Sequence, residues 1–580
     1  MNSSDQDGAA NRVFWVILSG LVVLGLALRL WGIDLRGITH PEVYVPGIAL
    51  IDGISEPPPR LDFGFALWWH FHDEPHPIGW YLAMMGWTEI FGTSHIALRM
   101  PSALAGAASV LLIALVARQV FGRNVALIAA AMMALHGFHL FWSQAARMYS
   151  TGMALGLLAT LILIHLARSN TRRPLLELAY VATCFAGIQT VELFWPLLLL
   201  QVGWVALLAR DLNWGGWRNL LTLGAGGAPR LLQVQAITLM LAAPGLLHSL
   251  YRSRAGAAQD PNPDFLVEYA GFGFLFATDE FAIPTLEIAA LLSAGLAFVC
   301  LVLVCIGLAR ETSAQPLLAS GSQPTSRLVS WFIAISVSVA MYWMASIALI
   351  RSDPLKVTAL LPLMALGVPA IAGGARGVFR TLFPWAERGL QTMEPAKVLF
   401  VLYALVAPLV LFAASYVASI LAPRAFLIFV PYLLIMASAG LWGLARFRIL
   451  AAGVGFALVA AFAMSVPYAA QKPGSPRDYQ AIAQAVQAEL EPDDLVFLRD
   501  KNWADTPLFY YWRDANFIVE DWAGATAKHP DARVWVITWP GGPDERGPAP
   551  DRRAALADGY ELVKILSEFR AEAELYQRAE

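Results

Sequence analysis

Charged residues are scarce in this sequence. Asp, Glu, Lys and Arg make up only 14% of its 580 residues, whereas 58% are hydrophobic. Soluble domains carry about 25% charged residues, so the composition excludes an ordinary soluble protein. Apolar runs long enough to cross roughly 30 Å of hydrocarbon recur along the chain. The sequence therefore predicts a polytopic α-helical membrane protein.

Cysteine is rarer still. The three cysteines, Cys184, Cys300 and Cys305, lie inside apolar runs, which excludes both a disulfide framework and a cysteine-based zinc site. The formal net charge of −3 says little about partners, and nothing in the sequence predicts a nucleic acid.

About thirteen segments are predicted to span the membrane. The first is too long for the apolar core of a signal peptide and lacks a small-residue cleavage pattern, so we expect it to be retained. The predicted spans are 13–33, 98–117, 124–142, 150–167, 174–190, 192–209, 231–250, 286–309, 329–350, 355–373, 398–420, 424–444 and 449–469.

The distribution of Lys and Arg indicates how these spans are oriented. With the N-terminus inside, every cytoplasmic connection is basic, whereas the basic residues of the outer connections are isolated. The sequence therefore predicts a cytoplasmic N-terminus and an outer C-terminus. The isolated outer cations are Arg147, Arg252, Arg254, Arg351, Lys356 and Arg424.

Two regions outside the spans are predicted to be ordered. The external loop 34–97, part of a membrane domain 1–470, has apolar segments near 41–52 and 78–91 that are too short to span and should lie along the interface. Residues 471–580 hold 13 basic and 20 acidic residues and are predicted to form a small extracytoplasmic α/β domain. Its predicted strands are 495–498, 517–520, 534–538 and 560–565, with helices at 477–490 and 550–558.

Residues suited to chemistry concentrate between Thr39 and Tyr81. This stretch holds six carboxylates and four of the ten histidines, among prolines that exclude a continuous helix. A carboxylate at a membrane surface can activate a hydroxyl as a general base, and outer Arg or Lys residues can neutralise a phosphate. We interpret the stretch as half of an active site.

Five motifs occur in an order that resembles the membrane glycosyltransferases of the GT-C fold. The most similar patterns are those of aminoarabinose transferases, rhizobial-type galacturonosyl transferases and, more distantly, protein O-mannosyltransferases. The resemblance covers residues 30–170 well and 420–500 loosely. The motifs are HPEVY (40–44), HPIGWY (76–81), LRMPSALAG (98–106), SQAARMY (143–149) and PRAFLIFVPYL (423–433).

The resemblance implies transfer of a sugar, with inversion, from a polyprenyl-phosphate-linked donor to a lipid, glycan or protein acceptor. The reaction is expected at the outer face of the bacterial cytoplasmic (inner) membrane, among membrane lipids. In such enzymes an acidic residue early in the first external loop acts as the base, and that position falls on Glu42, here preceded by Pro41 rather than by a second acid. The predicted substrate- and donor-binding residues are Tyr44, Asp73, Glu74, His76, Arg147, Tyr149, Arg351, Lys356 and Arg424.

Each assignment has a structural alternative. Glu42 is either the base or the cap of an interfacial helix, where a carboxylate meets the positive end of the helix dipole. The histidine-rich stretch 70–76 either binds a divalent cation or is a polar loop, so metal dependence stays open and no cofactor is assigned. Arg147 either contacts the donor phosphate or anchors lipid headgroups. Arg424 either has a role in the site or extends its charged end to the membrane interface. Glu192 either has a role in the site or merely reaches the interface.

Two other functions compete with sugar transfer. A transporter or flippase of a lipid or lipid-linked sugar should show two related halves and charges inside its spans. Here the polar residues gather on one face, which favours surface chemistry. A scaffold that uses 471–580 as a binding module is the third hypothesis, and the sequence specifies neither the sugar nor the acceptor.

Overall fold

The structure is a computed structural model of the chain. It describes residues 3–43, 45, 76–169, 171–208, 227–252, 299–300, 302–304, 306, 395–408, 411–412, 423–471, 478–497, 507–512, 518–519, 527–538, 559–568 and 571–579.

The described residues between 3 and 471 are helical wherever they form regular secondary structure. A π-helical turn, Leu402–Val406, continues the tenth helix, and 3-10 turns occur at His40–Glu42, Pro423–Phe429 and Leu444–Arg446. The helices are α1 (Ser3–Leu30), α2 (Ile78–Phe91), α3 (His95–Phe121), α4 (Arg123–Leu135), α5 (Gly137–Ser143), α6 (Tyr149–Ala167), α7 (Pro174–Thr190), α8 (Phe194–Leu208), α9 (Gly227–Arg252), α10 (Pro395–Val401), α11 (Val430–Gly443) and α12 (Arg448–Gln471).

The chain is a multi-pass membrane protein. Among the described residues, four helices are long and apolar enough to span a membrane, or five if the bent pair α4 and α5 forms one span. The predicted total of thirteen stays a prediction, because 329–350, 355–373 and most of 286–309 lie outside the described residues. The predicted interfacial segment 78–91 is confirmed as a helix, α2.

The predicted span 124–142 corresponds to α4 and α5, which meet at an angle of 60°. His136 leaves the helical conformation, with ψ of 108°, and its Nδ1 accepts a hydrogen bond from the His139 N–H. The break leaves carbonyl groups of α4 without helical partners. Arg29 from α1 donates to two of them, Met133 and Ala134, at 3.2 and 3.3 Å.

The core of the helical part forms around α3. This helix packs against α1, α4 and α6, while α11 covers α4 and α2 lies against α7. Helix α3 begins where the Ser94 hydroxyl accepts a hydrogen bond from the Ala97 N–H, and it ends at Gly122, whose φ of 84° favours glycine. These boundaries place the N-terminal end of α3 beside the loop that follows α1.

A five-stranded sheet forms in the C-terminal region. Its strand order is β2-β1-β3-β5-β4; β1 pairs in parallel with β2 and β3, and β5 pairs antiparallel with β3 and β4. The elements are α13 (Tyr479–Glu489), β1 (Leu495–Phe497), α14 (Leu508–Tyr511), β2 (Ile518–Val519), β3 (Val534–Thr538), β4 (Tyr560–Glu568) and β5 (Ala571–Arg578).

The four predicted strands and the helix near 477–490 are confirmed, whereas the predicted helix 550–558 lies outside the described residues. Strand β5 was not predicted. Its sequence, AEAELYQR, is rich in Ala and Glu, which strands disfavour, and its place between β3 and β4 stabilises it as a strand.

The C-terminal region contacts the loop after α1. The Tyr511 hydroxyl accepts a hydrogen bond from the Ile38 N–H at 2.7 Å, and the Tyr510 hydroxyl donates to the Thr93 carbonyl at 2.7 Å. The two tyrosines therefore fix the backbone near both ends of the loop 34–97, a contact that the sequence did not predict.

Asp494, at the start of β1, is a buried charge in this region. Burial alone would raise its pKa, but hydrogen bonds from Arg533, the Glu491 N–H and the Trp535 indole hold the pKa below its usual value. The shortest of these bonds, from Arg533 Nη2, measures 2.6 Å.

Asp494→Asn should destabilise this sheet by about 3 kcal/mol, because it leaves Arg533 beside a neutral partner in a buried place. Hydrogen exchange of β1 and β3 in the full-length protein measures the loss. The matched control is Glu491→Gln, since Glu491 also pairs with Arg533 but is 64% exposed, and about 0–1 kcal/mol is expected there. Equal effects of the two substitutions would contradict the prediction.

Candidate functional site

Glu42 lies at the centre of a buried hydrogen-bond cluster beyond the end of α1. Its side chain is 1% exposed. Oε1 accepts from Arg99 Nε and from the Ala146 N–H, both at 2.9 Å, and Oε2 accepts from Arg99 Nη2 at 2.9 Å. The Thr39 N–H and hydroxyl also donate to Oε2, each at 3.0 Å. Glu42 thus closes the 3-10 turn that begins after Thr39, whereas the interfacial helix near 41–52 that the capping alternative assumes lies almost wholly outside the described residues.

Arg99, from the first turns of α3, is the partner that neutralises Glu42. It is completely buried, and its Nη1 donates to the carbonyls of Ile33 and Arg36, both at 2.8 Å. Its Nη2 donates to the Gly37 carbonyl at 2.9 Å. One guanidinium thus binds the carboxylate at two points and fixes three carbonyls of the loop after α1.

The cluster keeps Glu42 ionised. Burial alone would raise the pKa of Glu42, but the charge and hydrogen bonds of Arg99, the charge of Arg36 and the Ala146 N–H together lower it to about 2. Five donors also occupy the lone pairs that a carboxylate offers. Accepting a proton would require Glu42 to give up part of this bonding.

Arg147 joins the loop between α5 and α6 to the same cluster. Its Nη1 donates to the Pro41 carbonyl at 3.1 Å and lies 3.4 Å from the Tyr81 hydroxyl. The Arg147 carbonyl accepts from the Ser102 hydroxyl at 2.9 Å, and its guanidinium carbon lies 6.0 Å from the centre of the Tyr149 ring. The structure therefore brings together three of the predicted site residues, Glu42, Arg147 and Tyr149.

Arg36 adds a further buried cation. Its Nη2 donates to the Gln144 carbonyl at 2.6 Å, and its guanidinium carbon lies 4.4 Å from the centre of the Phe141 ring. Gln144 in turn donates to the carbonyls of Arg29 and Trp31, at 3.3 and 2.7 Å. Burial, followed by the charge of Arg99, lowers the pKa of Arg36 to about 9, against the opposing effect of Glu42.

Positive charge predominates in this cluster. In the part of the chain that the structure describes, three buried arginines lie around the Glu42 carboxylate, a net charge of +2 for the four groups. Buried charge in a membrane protein is costly and usually marks an ion or substrate site. The members of this arginine cluster are Arg36, Arg99, Arg147 and Glu42.

His76 and Glu192 form a separate pair. His76 immediately precedes Pro77 and α2, and Glu192 lies in the short turn between α7 and α8. His76 Nδ1 donates to Glu192 Oε1 at 2.6 Å, and the side chains are 30% and 29% exposed. This pair, unlike the arginine cluster, is partly exposed.

The remaining predicted site residue in the described part of the chain is Arg424, which is half-buried in the 3-10 turn before α11. Among the described residues, no group of three His, Cys, Asp or Glu side chains could hold a metal, and most of the stretch 70–76 is not described. The predicted residues that lie outside the described residues are Tyr44, Asp73, Glu74, Arg351 and Lys356.

Sequence reasoning missed Arg99, Arg36 and Tyr81 as members of the site. Arg99 did carry a signal, since a charge at the start of an apolar run is expensive unless it has a partner. Tyr81 ends the motif HPIGWY, whereas Arg36 carried no signal, because only the folded loop brings it to Gln144.

Glu42→Gln should lower the free energy of unfolding by about 3–5 kcal/mol, because it leaves the buried Arg99 charge without its counter-ion. Thermal unfolding of the purified protein in detergent measures this. The control is Glu192→Gln, a half-exposed carboxylate for which about 0–1 kcal/mol is expected.

The same pair predicts a pH dependence. A pKa lowered from 4.5 to about 2 means that Glu42 contributes stability above pH 4.5, and that this stability is lost as the pH falls toward 2. The acid loss should therefore be smaller in Glu42→Gln. An unfolding temperature equal to that of the unsubstituted protein, with the same acid limb, would contradict the anchoring role of Glu42.

Comparison with known proteins gives one family match. Residues 73–217, a quarter of the chain, match the family model described as dolichyl-phosphate-mannose-protein mannosyltransferase. This segment contains His76, Arg99, Arg147 and Glu192, and it begins after Glu42. A search of curated proteins finds no match.

Solved structures also align with the chain over most of its length. ArnT from Cupriavidus metallidurans, in the apo state, has 14% identity and a TM-score of 0.47, with 98% of each chain covered. The oligosaccharyltransferase AglB from Archaeoglobus fulgidus, in complex with an inhibitory peptide and a dolichol-phosphate, has 12% identity and a TM-score of 0.45, with 91% of this chain and 69% of AglB covered. For residues 73–217, the family match confirms the resemblance to membrane glycosyltransferases that the sequence motifs predicted.

Proposed function

We propose that this chain transfers a sugar from a polyprenyl-phosphate-linked donor to an acceptor hydroxyl. The reaction takes place at the outer face of the bacterial cytoplasmic membrane, with the N-terminus in the cytoplasm and residues 471–580 on the outer side. The observation that carries the proposal is the arginine cluster, with its net charge of +2, at the ends of apolar helices.

An anionic ligand fits this cluster. A lipid phosphate is the anion that membrane-embedded helices can admit, because its polyprenyl chain stays in the hydrocarbon while its charge meets the arginines. Arg147 is the strongest candidate for direct contact, since it lies beside Tyr81 and Tyr149 and is the least buried member of the cluster, at 6%. The family described for 73–217 is named for a dolichyl-phosphate-linked sugar, a donor of the same class.

A single displacement accounts for inversion. The acceptor oxygen loses its proton to a base and forms a bond to the anomeric carbon, while the bond from that carbon to the phosphate oxygen breaks. Polyprenyl phosphate leaves as an anion that the arginines stabilise, and the acceptor must be held in line with the bond that breaks. The acceptor is a lipid, a glycan or a protein hydroxyl.

The proposed part of Glu42 in this reaction is to hold the arginine cluster in place. Its role as the general base, expected from the sequence, stays a prediction, and the bonding weighs against it. A base works best when its pKa lies near the working pH, whereas that of Glu42 is lowered to about 2. Donors also surround both oxygens, at 2.9 to 3.0 Å.

Transfer can be tested with the purified protein in detergent and a radiolabelled polyprenyl-phosphate sugar. Labelled acceptor and free polyprenyl phosphate should appear together, in equal amounts. A transporter or flippase would instead move the intact donor across vesicles without breaking the sugar–phosphate bond. Movement of intact donor, with no polyprenyl phosphate released, would overturn the proposal.

Arg147→Ala should weaken the binding of polyprenyl phosphate by about 10- to 100-fold, the effect of one lost charge-assisted hydrogen bond. Binding of the lipid to the purified variant measures the change. The matched control is Arg173→Ala, an exposed arginine at the opposite end of α6 and α7, which should bind normally. Equal affinities of both variants and the unsubstituted protein would remove Arg147 from the donor site.

A further inference from the structure

We propose that Tyr511, in the C-terminal region, is a positioning residue for the donor site. Its hydroxyl holds the loop after α1 in the conformation in which the arginine cluster can receive a lipid phosphate. The inference rests on the function proposed above and deepens it, because it makes donor affinity depend on residues 471–580. It begins from the contact between two parts of the chain that have separate hydrophobic cores.

Tyr511 belongs to both of these cores. It is the last residue of α14, and its ring packs against the core of the sheet as well as against the core of the helical part. Burial raises the pKa of Tyr511, so its hydroxyl stays protonated at neutral pH and can both donate and accept a hydrogen bond. The residue is therefore placed to pass a constraint from the C-terminal region to the helical part.

The Tyr511 hydroxyl lies between the loop after α1 and the start of α3. It accepts a hydrogen bond from the N–H of Ile38, a completely buried residue, at 2.7 Å. His95, the first residue of α3, lies 3.4 Å from the same hydroxyl through Nε2 and 3.4 Å from the Asp34 carbonyl oxygen through Nδ1. An imidazole that donates from Nδ1 to this carbonyl accepts at Nε2 from the tyrosine. One hydroxyl thus joins two elements of the helical part.

Close backbone packing accompanies this hydrogen bond. A Cβ on Gly37 would lie 3.1 Å from the Tyr511 hydroxyl, 3.1 Å from Gln480 Cβ and 3.3 Å from the Gln480 backbone nitrogen. These distances are shorter than ordinary van der Waals contact, so the glycine lets the loop lie directly against α13 and α14. The C-terminal region therefore contacts the loop through its backbone, at the two residues Gly37 and Ile38.

The same short stretch carries the bonds that hold the arginine cluster. The Gly37 carbonyl accepts from Arg99 Nη2 at 2.9 Å, one residue before the N–H that donates to Tyr511. Three residues after that N–H, the Pro41 carbonyl accepts from Arg147 Nη1 at 3.1 Å. Arg99 thus holds the loop from the side of the helices, and Tyr511 holds it from the side of the sheet. Release of one side would leave the Pro41 carbonyl, and with it Arg147, less firmly placed.

Removal of the hydroxyl should act on donor affinity through the population of loop conformations. It leaves the buried Ile38 N–H without this acceptor, which favours conformations that bring the N–H to water. If one loop conformation places Arg147 for the phosphate, the apparent dissociation constant rises as the population of that conformation falls. Saturating donor restores the conformation, so the rate at saturation should change little. The expected signature is a higher KM with an almost unchanged kcat.

The test compares Tyr511→Phe with Tyr560→Phe in the full-length protein, purified in detergent. Tyr511→Phe should weaken the binding of polyprenyl phosphate by about 3- to 10-fold, the range of one lost hydrogen bond, and raise the KM for a polyprenyl-phosphate sugar equally. Hydrogen exchange of the peptide that contains Ile38 should be faster in the free variant and slow again with saturating lipid. Tyr560→Phe is the matched control and should bind normally, because its hydroxyl donates to the Pro530 carbonyl, at 3.3 Å, on the edge strand β4.

The outcomes separate this inference from the proposed function. Unchanged affinity in Tyr511→Phe, or an equal loss in both variants, would overturn the inference alone. A lower kcat and unfolding temperature with unchanged affinity would also overturn it, since that is the pattern of a merely structural bond. If the unsubstituted protein binds polyprenyl phosphate but transfers no sugar, the proposed function fails, while affinity and hydrogen exchange still decide the role of Tyr511. Absence of polyprenyl-phosphate binding in the unsubstituted protein would overturn both.

Discussion

The rest of the structure depends on one buried ion pair, between Glu42 and Arg99. Neither side chain is more than 2% exposed, and together they tie the loop after α1 to α3 and to the loop before α6. A buried pair contributes little net stability when it is complete, but removal of one partner costs several kcal/mol. Its value here is specificity of position, because the pair fixes the backbone to which Arg36 and Arg147 belong.

The arginine cluster is buried and held by backbone carbonyls, which suits the binding of an anion. The C-terminal region supports this cluster, since Tyr511 binds the Ile38 N–H one residue after Gly37, whose carbonyl accepts from Arg99.

The sequence predicted those features that depend on local composition or on position along the chain. Helix α2 and the strands β1 to β4 follow from apolar length and strand propensity. Arg147 follows from its isolation among the predicted outer cations. The Glu42–Arg99 pair could not be paired from sequence, because 57 positions separate the two residues and either could have reached solvent. The 60° bend at His136 and strand β5 were missed for a related reason, since Arg29 and the neighbouring strands stabilise them through tertiary contacts.

The most direct measurement of the central claim is an experimental structure of the full-length protein with bound polyprenyl phosphate. The account predicts the phosphate beside Arg147 and Tyr81, with the Glu42–Arg99 pair intact. A phosphate bound elsewhere, or one that separates Glu42 from Arg99, would contradict the account.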